Sequence, residues 1–204
     1  MSKYDFSKIK SALEKKGYIV SVFDCKELAA EYMNKEIDGK TVGIGGSVTA
    51  HQMNLFEMLS KHNTVYWHDE KPAEMSVMET RTAASRAEIY ISSVNGISET
   101  GEIVNIDNTG NRVAAISYGP SKVYLLVGVN KITKDLESAI YRARNVAAPL
   151  NAKRLNRKTP CTIKADKCYN CNSPERICRN LSVLWNKPTG AEYEIVLING
   201  ALGY

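Results

Sequence analysis

Three groups of residues combine side-chain types and spacings that could do chemistry. The first is Gly43-Ile44-Gly45-Gly46-Ser47-Val48-Thr49, which follows a β-branched run and opens a helical one. Glycines there let the backbone turn tightly, and the free amides of a helix start favour an anion. Gly43, Gly45, Gly46, Ser47 and Thr49 are therefore candidate anion-binding residues. The run is no dinucleotide fingerprint, because Val48 stands where a third glycine is needed, and no Gly-Lys-Ser or Gly-Lys-Thr completes a P-loop. A tight turn capped by Ser47 or Thr49 fits the same residues.

The second group is polar: Asn95, then Asp107, Asn111 and Arg112. Asn95 and Asp107 could orient a ligand by hydrogen bonds, and Arg112 could pair with a carboxylate or phosphate. On composition alone, turn chemistry is the better account of the Asn, Asp and Gly of this stretch. The third group is Cys161, Cys168, Cys171 and Cys178, spaced Cys-x6-Cys-x2-Cys-x6-Cys. Four thiolates could hold zinc or an iron–sulfur cluster, although the spacing matches neither a zinc ribbon nor a ferredoxin run. Lys164, Lys167, Arg176 and Arg179 would offset the thiolate charge. Reduced, partly buried cysteines are the alternative. His51, His62 and His68 share no metal-ligand spacing, and Glu99, Glu102 and Asp107 are acid–base candidates of a kind that hairpins usually leave solvated.

Alternating elements must position these groups. Apolar spacing predicts helices over residues 6–16, 26–33, 50–60, 80–84 and 135–146, the last closed by Pro149. Strands are expected over 18–23, 40–44, 64–67, 88–92, 123–129, 181–185 and 193–198, with a hairpin over 97–104 turning at Thr100-Gly101. The order argues an α/β fold: a mixed, mostly parallel sheet with helices on both faces. The chain reads as a single domain, residues 1–204, in which 149–180 could form an irregular Cys-rich lobe.

Composition bounds the function. Of 204 residues, 44% are hydrophobic and 24% charged, which excludes a disordered chain. Lys and Arg number 27 against 22 Asp and Glu, a net +5 that suits a small anionic metabolite and is too diffuse to indicate nucleic acid. No apolar run reaches the ~18 residues of a membrane span. The N-terminal Met1-Ser2-Lys3-Tyr4-Asp5-Phe6 lacks the apolar core of a signal peptide, so a cytoplasmic protein is expected. Five cysteines in a reducing compartment point to thiol or metal chemistry before disulfides.

Gly43 to Thr49 and the segment Glu102-Ile103-Val104-Asn105-Ile106-Asp107-Asn108-Thr109-Gly110-Asn111-Arg112-Val113-Ala114-Ala115 resemble the lactate-utilisation (LUD) domain family. Tyr118-Gly119-Pro120, Val127-Gly128-Val129-Asn130-Lys131-Ile132 and Ser173-Pro174-Glu175-Arg176-Ile177-Cys178 extend the resemblance over nearly the whole chain, which looks like a small, stand-alone member similar to the lactate-utilisation protein C branch. The resemblance implies a fold like that of glucosamine-6-phosphate deaminase, ribose-5-phosphate isomerase and the CoA transferases. In those enzymes the glycine-rich turn lies beside a phosphorylated or CoA substrate. Gln52 stands where relatives commonly carry glutamate, and Asn95-Gly96 where they often read Asn-Ala.

Three functions are therefore expected in competition. The family implies an accessory component of L-lactate oxidation to pyruvate, working with iron–sulfur proteins. An independent enzyme or binding protein for a phosphorylated or CoA-linked metabolite is the alternative, and a non-catalytic metal-binding redox module the third. Related folds imply a homo-oligomer.

Overall fold

The computed structural model describes residues 4–164 and 166–204; residues 1–3, part of the segment read for a leader, lie outside the described residues. α1 (Ser7–Lys15) buries Ile9 and Leu13, four positions apart on one face, and Gly17 at φ 87° turns the chain out of it. β1 (Ile19–Phe23), α2 (Lys26–Glu36) and β2 (Thr41–Ile44) follow. The helix expected over 50–60 is two helices, α3 (Val48–Gln52) and α4 (Leu55–Leu59), because Asn54 adopts a left-handed φ of 51° between them. β3 (Thr64–Trp67) leads to α5 (Val77–Ser85), which starts before the expected position because Ser76 and Glu79 form a capping box.

β4 (Ile89–Ser93) precedes the expected hairpin, β5 (Gly96–Ser98) with β6 (Ile103–Asp107). The polar stretch beyond it contains a helix the spacing did not announce, α6 (Asn111–Ser117). β7 (Lys122–Gly128), a 3-10 turn at Val129–Lys131 and the short β8 (Ile132–Thr133) come next. α7 (Leu136–Arg142) then passes through a π-helical turn, Ala143–Ala147, into α8 (Ala148–Arg154). Pro149 thus does not close the helix: the wider π turn absorbs the missing N–H and the ring clash, and the helix runs on to Arg154. α9 (Pro160–Lys164), β9 (Asn180–Leu184) and β10 (Glu192–Ile198) complete the elements.

The mixed pairing is divided between two sheets. The larger has six parallel strands in the order β1-β10-β7-β4-β2-β3. The smaller has four strands, β8-β5-β6-β9, with β5–β6 and β6–β9 antiparallel and β5–β8 parallel. Both faces of the large sheet are apolar, as a parallel sheet requires. Along β7, Tyr124 and Leu126 pack with α2, α3 and α4 residues such as Met33, Ala50 and Leu59. Val123, Leu125 and Val127 face the other way, with Ile9 and Leu13 of α1 and Ile116 of α6. Ala139 and Ala143 seat the α7 region on Val104 of the small sheet.

Glu102 of the hairpin is a strut and not a free acid. Burial raises its pKa, but bonds from Ser98, Thr100 and Lys16 more than offset this and hold it at about 2.

Gly43 has a packing duty: a Cβ there would stand 2.1 Å from the Ala84 carbonyl oxygen of α5. Gly43→Ala should lower unfolding free energy by about 3 kcal/mol, the upper end for overpacking, because backbone and not a flexible side chain must yield. Urea denaturation of the variant measures this; an unchanged midpoint would show that β2 and α5 are not held this closely.

Candidate functional site

Strand order decides where a ligand can sit. From β2 the chain goes outward to β3, then crosses back to β4 on the other side of β2 and continues through β7 to β10. Loops leaving β2 and β4 therefore diverge, opening a crevice at the carboxyl ends of those strands. A cleft of about 260 Å³ lies there, lined by Gly46 to Thr49 after β2, Ser93 to Asn95 at the end of β4, Lys131 after β7 and Gly203 after β10.

Its floor is fixed by Arg112, the second residue of α6, which is only 9% exposed. Nη1 donates to the Ser93 carbonyl (2.9 Å) and to Asn105 Oδ1 (2.6 Å). Nη2 donates to Asn95 Oδ1 (3.0 Å) and to the Ile106 carbonyl (2.7 Å). Burial lowers the Arg112 pKa and nearby Asp107 counters it. Asp107 caps α6, its carboxylate accepting from the amides of Asn108, Gly110, Arg112 and Val113. The guanidinium and Asn95 Oδ1 are thus engaged within the protein, and their part in ligand contact is to hold the floor.

Lys131 is the residue that sequence reasoning missed as a site. It is 1% exposed, and its Nζ donates to Thr49 Oγ1 (2.9 Å) and to Ser93 Oγ. Thr49 in turn donates to Ser93 Oγ (3.3 Å), and Ser93 to the Val94 carbonyl (3.4 Å). Among the described residues no carboxylate pairs with this amine. Burial, reinforced by the charges of Arg142 and Arg112, pushes its pKa down to about 7. Gly203 at φ 59° packs over the pair: a Cβ there would be 2.6 Å from Thr49 Oγ1 and 3.3 Å from Lys131 Nζ. Asn130 and Gln52 hold that tail by bonds to the amides of Leu202 (3.0 Å) and Gly203 (2.8 Å). The available signal was position, since Lys131 follows the carboxyl end of the most apolar strand.

Arg81, Arg154 and Arg157 line the remaining wall, and the run-on of α8 past Pro149 is what delivers Arg154. Arg81 Nε is shielded from solvent without an acceptor among the described residues. Against these cations stand Asp107, engaged by α6, and Asp69, shared between His51 (3.0 Å) and His68 (3.5 Å). His68 is held below its usual pKa chiefly by burial. Of the expected residues, Gly46, Ser47, Thr49, Asn95, Asp107, Asn111 and Arg112 line the cleft. Gly43 and Gly45 do not: a Cβ on Gly45 would meet the Tyr90 hydroxyl at 2.8 Å and Arg112 at 3.2 Å, so it too serves packing.

The four clustered cysteines line one small cavity of about 20 Å³. Arg176 donates to the carbonyls of Cys171 (2.7 Å) and Cys178 (2.9 Å) and to Cys178 Sγ (3.5 Å). The Asn170 amide donates to Cys168 Sγ (3.4 Å), and Thr159 Oγ1 lies 3.1 Å from Cys161 Sγ. Among the described residues, no group of three or more His, Cys, Asp or Glu side chains stands ready to hold a metal ion.

An α/β protein with a cationic cleft at the switch point of a parallel sheet is the class that fold and site define. The LUD domain model matches residues 6–198, and the chain belongs to that family. Its structure is similar to that of a DUF162 family protein from Deinococcus radiodurans, with a TM-score of 0.52 and 13% identity over 96% of this chain and 99% of that one. It is less similar to eIF2B beta from Chaetomium thermophilum, with a TM-score of 0.33 and 15% identity over 65% of this chain and 44% of that one. No curated protein sequence matches the chain. No helix among the described residues is long and apolar enough to cross a membrane.

The lysine gives the protein a pH signature. With its pKa near 7 folded and ~10.4 unfolded, Lys131 binds fewer protons in the native state between those values, so unfolding free energy rises with pH there. The limiting slope for one proton is about 1.4 kcal/mol per pH unit. Lys131→Met should lack this component, and subtracting its denaturation curve from that of the parent between pH 7 and 9.5 isolates it. A flat difference would mean that the amine is not buried as described.

Proposed function

We propose that this LUD-domain protein holds a small anionic metabolite, a carboxylate or phosphate, in the switch-point cleft and serves as a component of lactate utilisation acting with partner proteins. One observation carries the ligand class: Arg81 Nε is shielded without an acceptor among the described residues, in a cleft that Arg154 and Arg157 also line. Isolated buried charge is costly, and an incoming anion compensates it. Volume favours a small molecule, since about 260 Å³ lies below the ~300 Å³ at which pockets for drug-sized ligands begin. The lactate role rests on family membership and the resemblance to the lactate-utilisation protein C branch.

Thermal shift against lactate, pyruvate, sugar phosphates and acyl-CoAs tests the ligand class. At a hundredfold excess over Kd, binding adds about 2.7 kcal/mol. That corresponds to a Tm rise of roughly 5–10 °C for a chain of this size. Small carboxylates or phosphates should give that rise, and Arg154→Glu should abolish it. Selective stabilisation by acyl-CoAs would instead favour the independent CoA-linked enzyme, and no response to any anion would remove the cleft as a binding site. Deletion of the gene tests the pathway role through growth on lactate.

The shared cavity of Cys161, Cys168, Cys171 and Cys178 favours a second reading, a zinc or iron–sulfur module. It requires the loop to draw the four sulfurs together around the ion. Anaerobically purified protein should then carry stoichiometric zinc, or iron with sulfide, and Cys171→Ser should lose metal and stability together. Metal-free protein of unchanged Tm in the variant would dispose of it.

A further inference from the structure

We infer that Lys131 is a carbonyl-trapping amine: it forms a Schiff base with the aldehyde or ketone carbon of a small anionic metabolite whose carboxylate or phosphate is held by Arg81 and Arg154. The inference deepens the proposed anion site and rests on it.

The hydrogen-bond pattern around Nζ sets the chemistry. The Thr49 hydroxyl proton is directed at Ser93 Oγ and the Ser93 hydroxyl proton at the Val94 carbonyl. Both hydroxyl oxygens therefore present lone pairs to Lys131, which must donate to each. Two N–H donors suffice for this, so a neutral amine fits with its lone pair at the remaining tetrahedral position, and among the described residues Nζ has no third acceptor for the extra proton of an ammonium. No carboxylate among the described residues is bonded to the amine, and the charges of Arg142 and Arg112 oppose its ammonium form. Titratable and charged groups facing the amine are these two arginines and, around the cleft, Arg81, Arg154, Arg157, His68, Tyr204 and the engaged Asp69 and Asp107. Desolvated lysines of this kind are nucleophiles toward carbonyls.

The step balances without a co-reactant. The Nζ lone pair attacks the carbonyl carbon and a C–N bond forms. Both amine protons pass to the carbonyl oxygen, the C–O bond breaks, and water leaves. Nothing is oxidised or reduced. Thr49 and Ser93 are positioning residues that orient the amine, and Gly203 closes the site over it.

The test is reductive trapping on the full chain with sodium cyanoborohydride, using pyruvate as the carboxylate probe and glycolaldehyde phosphate as the phosphate probe. Peptide mapping should place a single adduct on Lys131, at least tenfold above any surface lysine, for one probe or both; which probe reacts identifies the anion. Lactate or inorganic phosphate, which lack an aldehyde or ketone carbon, should protect Lys131 without labelling it. Lys131→Arg should remove the adduct while circular dichroism reports its fold, and the protection experiment stands on the parent protein if the variant does not fold. A Tm rise with pyruvate but no adduct at Lys131 overturns the inference and leaves the anion site intact. Adducts spread evenly over surface lysines also overturn it, and absence of both Tm rise and adduct removes the anion site with it.

Discussion

Arg112 is the joint on which the rest of the site depends. Its guanidinium ties the carboxyl end of β4 in the large sheet, through Ser93, to β6 of the small sheet, through Asn105 and Ile106. All four of those donors end on neutral oxygens, so the positive charge is carried into the interior uncancelled by contact. An unpartnered buried carbonyl or amide costs ~1–3 kcal/mol, so removing this one side chain would strand several acceptors at once. Gly45 is small because Arg112 lies against it, and Ser93 stands where Lys131 can reach it because Arg112 grips its carbonyl. Joint and site are one network.

The elements were largely legible because the large sheet is buried on both faces. Strands such as Val123 to Val127 read as unbroken apolar runs, and the helices between them show their apolar faces at Ile9 and Leu13. What was not legible follows from contacts distant in sequence. α6 is capped by Asp107 across a left-handed Gly110, so its start carries no Ser or Thr signal and reads as turn chemistry. Pro149 stops an ordinary helix, and only the π turn before it, which no local propensity announces, lets the chain continue to Arg154. The hairpin was visible, but its membership in a separate sheet depends on pairing with β9 some eighty residues later.

At the site, residue types were read better than roles. Glycine at 43 and 45 has two physical causes, close approach of a ligand or of the protein's own backbone, and composition does not separate them. Here the protein's own atoms fill the space at both positions, the Ala84 backbone at Gly43 and the Tyr90 and Arg112 side chains at Gly45. Asn95, Asp107 and Arg112 reach the cleft as its scaffold. Lys131 was invisible as a buried amine because lysine is normally solvated. Its burial arises from four strand ends and a C-terminal tail meeting at one point, which becomes evident only when β10 is seen to lie beside β7.

The cysteine cavity and the cationic cleft share a wall, because Ala148 and Ile177 line both. Asn145, on the π turn, accepts from the Cys168 amide, and the same continuous helix then carries Asn151 and Arg154 into the cleft. The loop bearing the thiols is thus fastened to the element that places Arg154 on the cleft wall. Packed interiors transmit displacement because they hold few voids. Ile177 is 7% exposed and forms part of the wall between the two cavities. The segment that carries the four sulfurs and the helix that carries Arg154 thus meet at Asn145, Ala148 and Ile177, and the packing of one bounds the other.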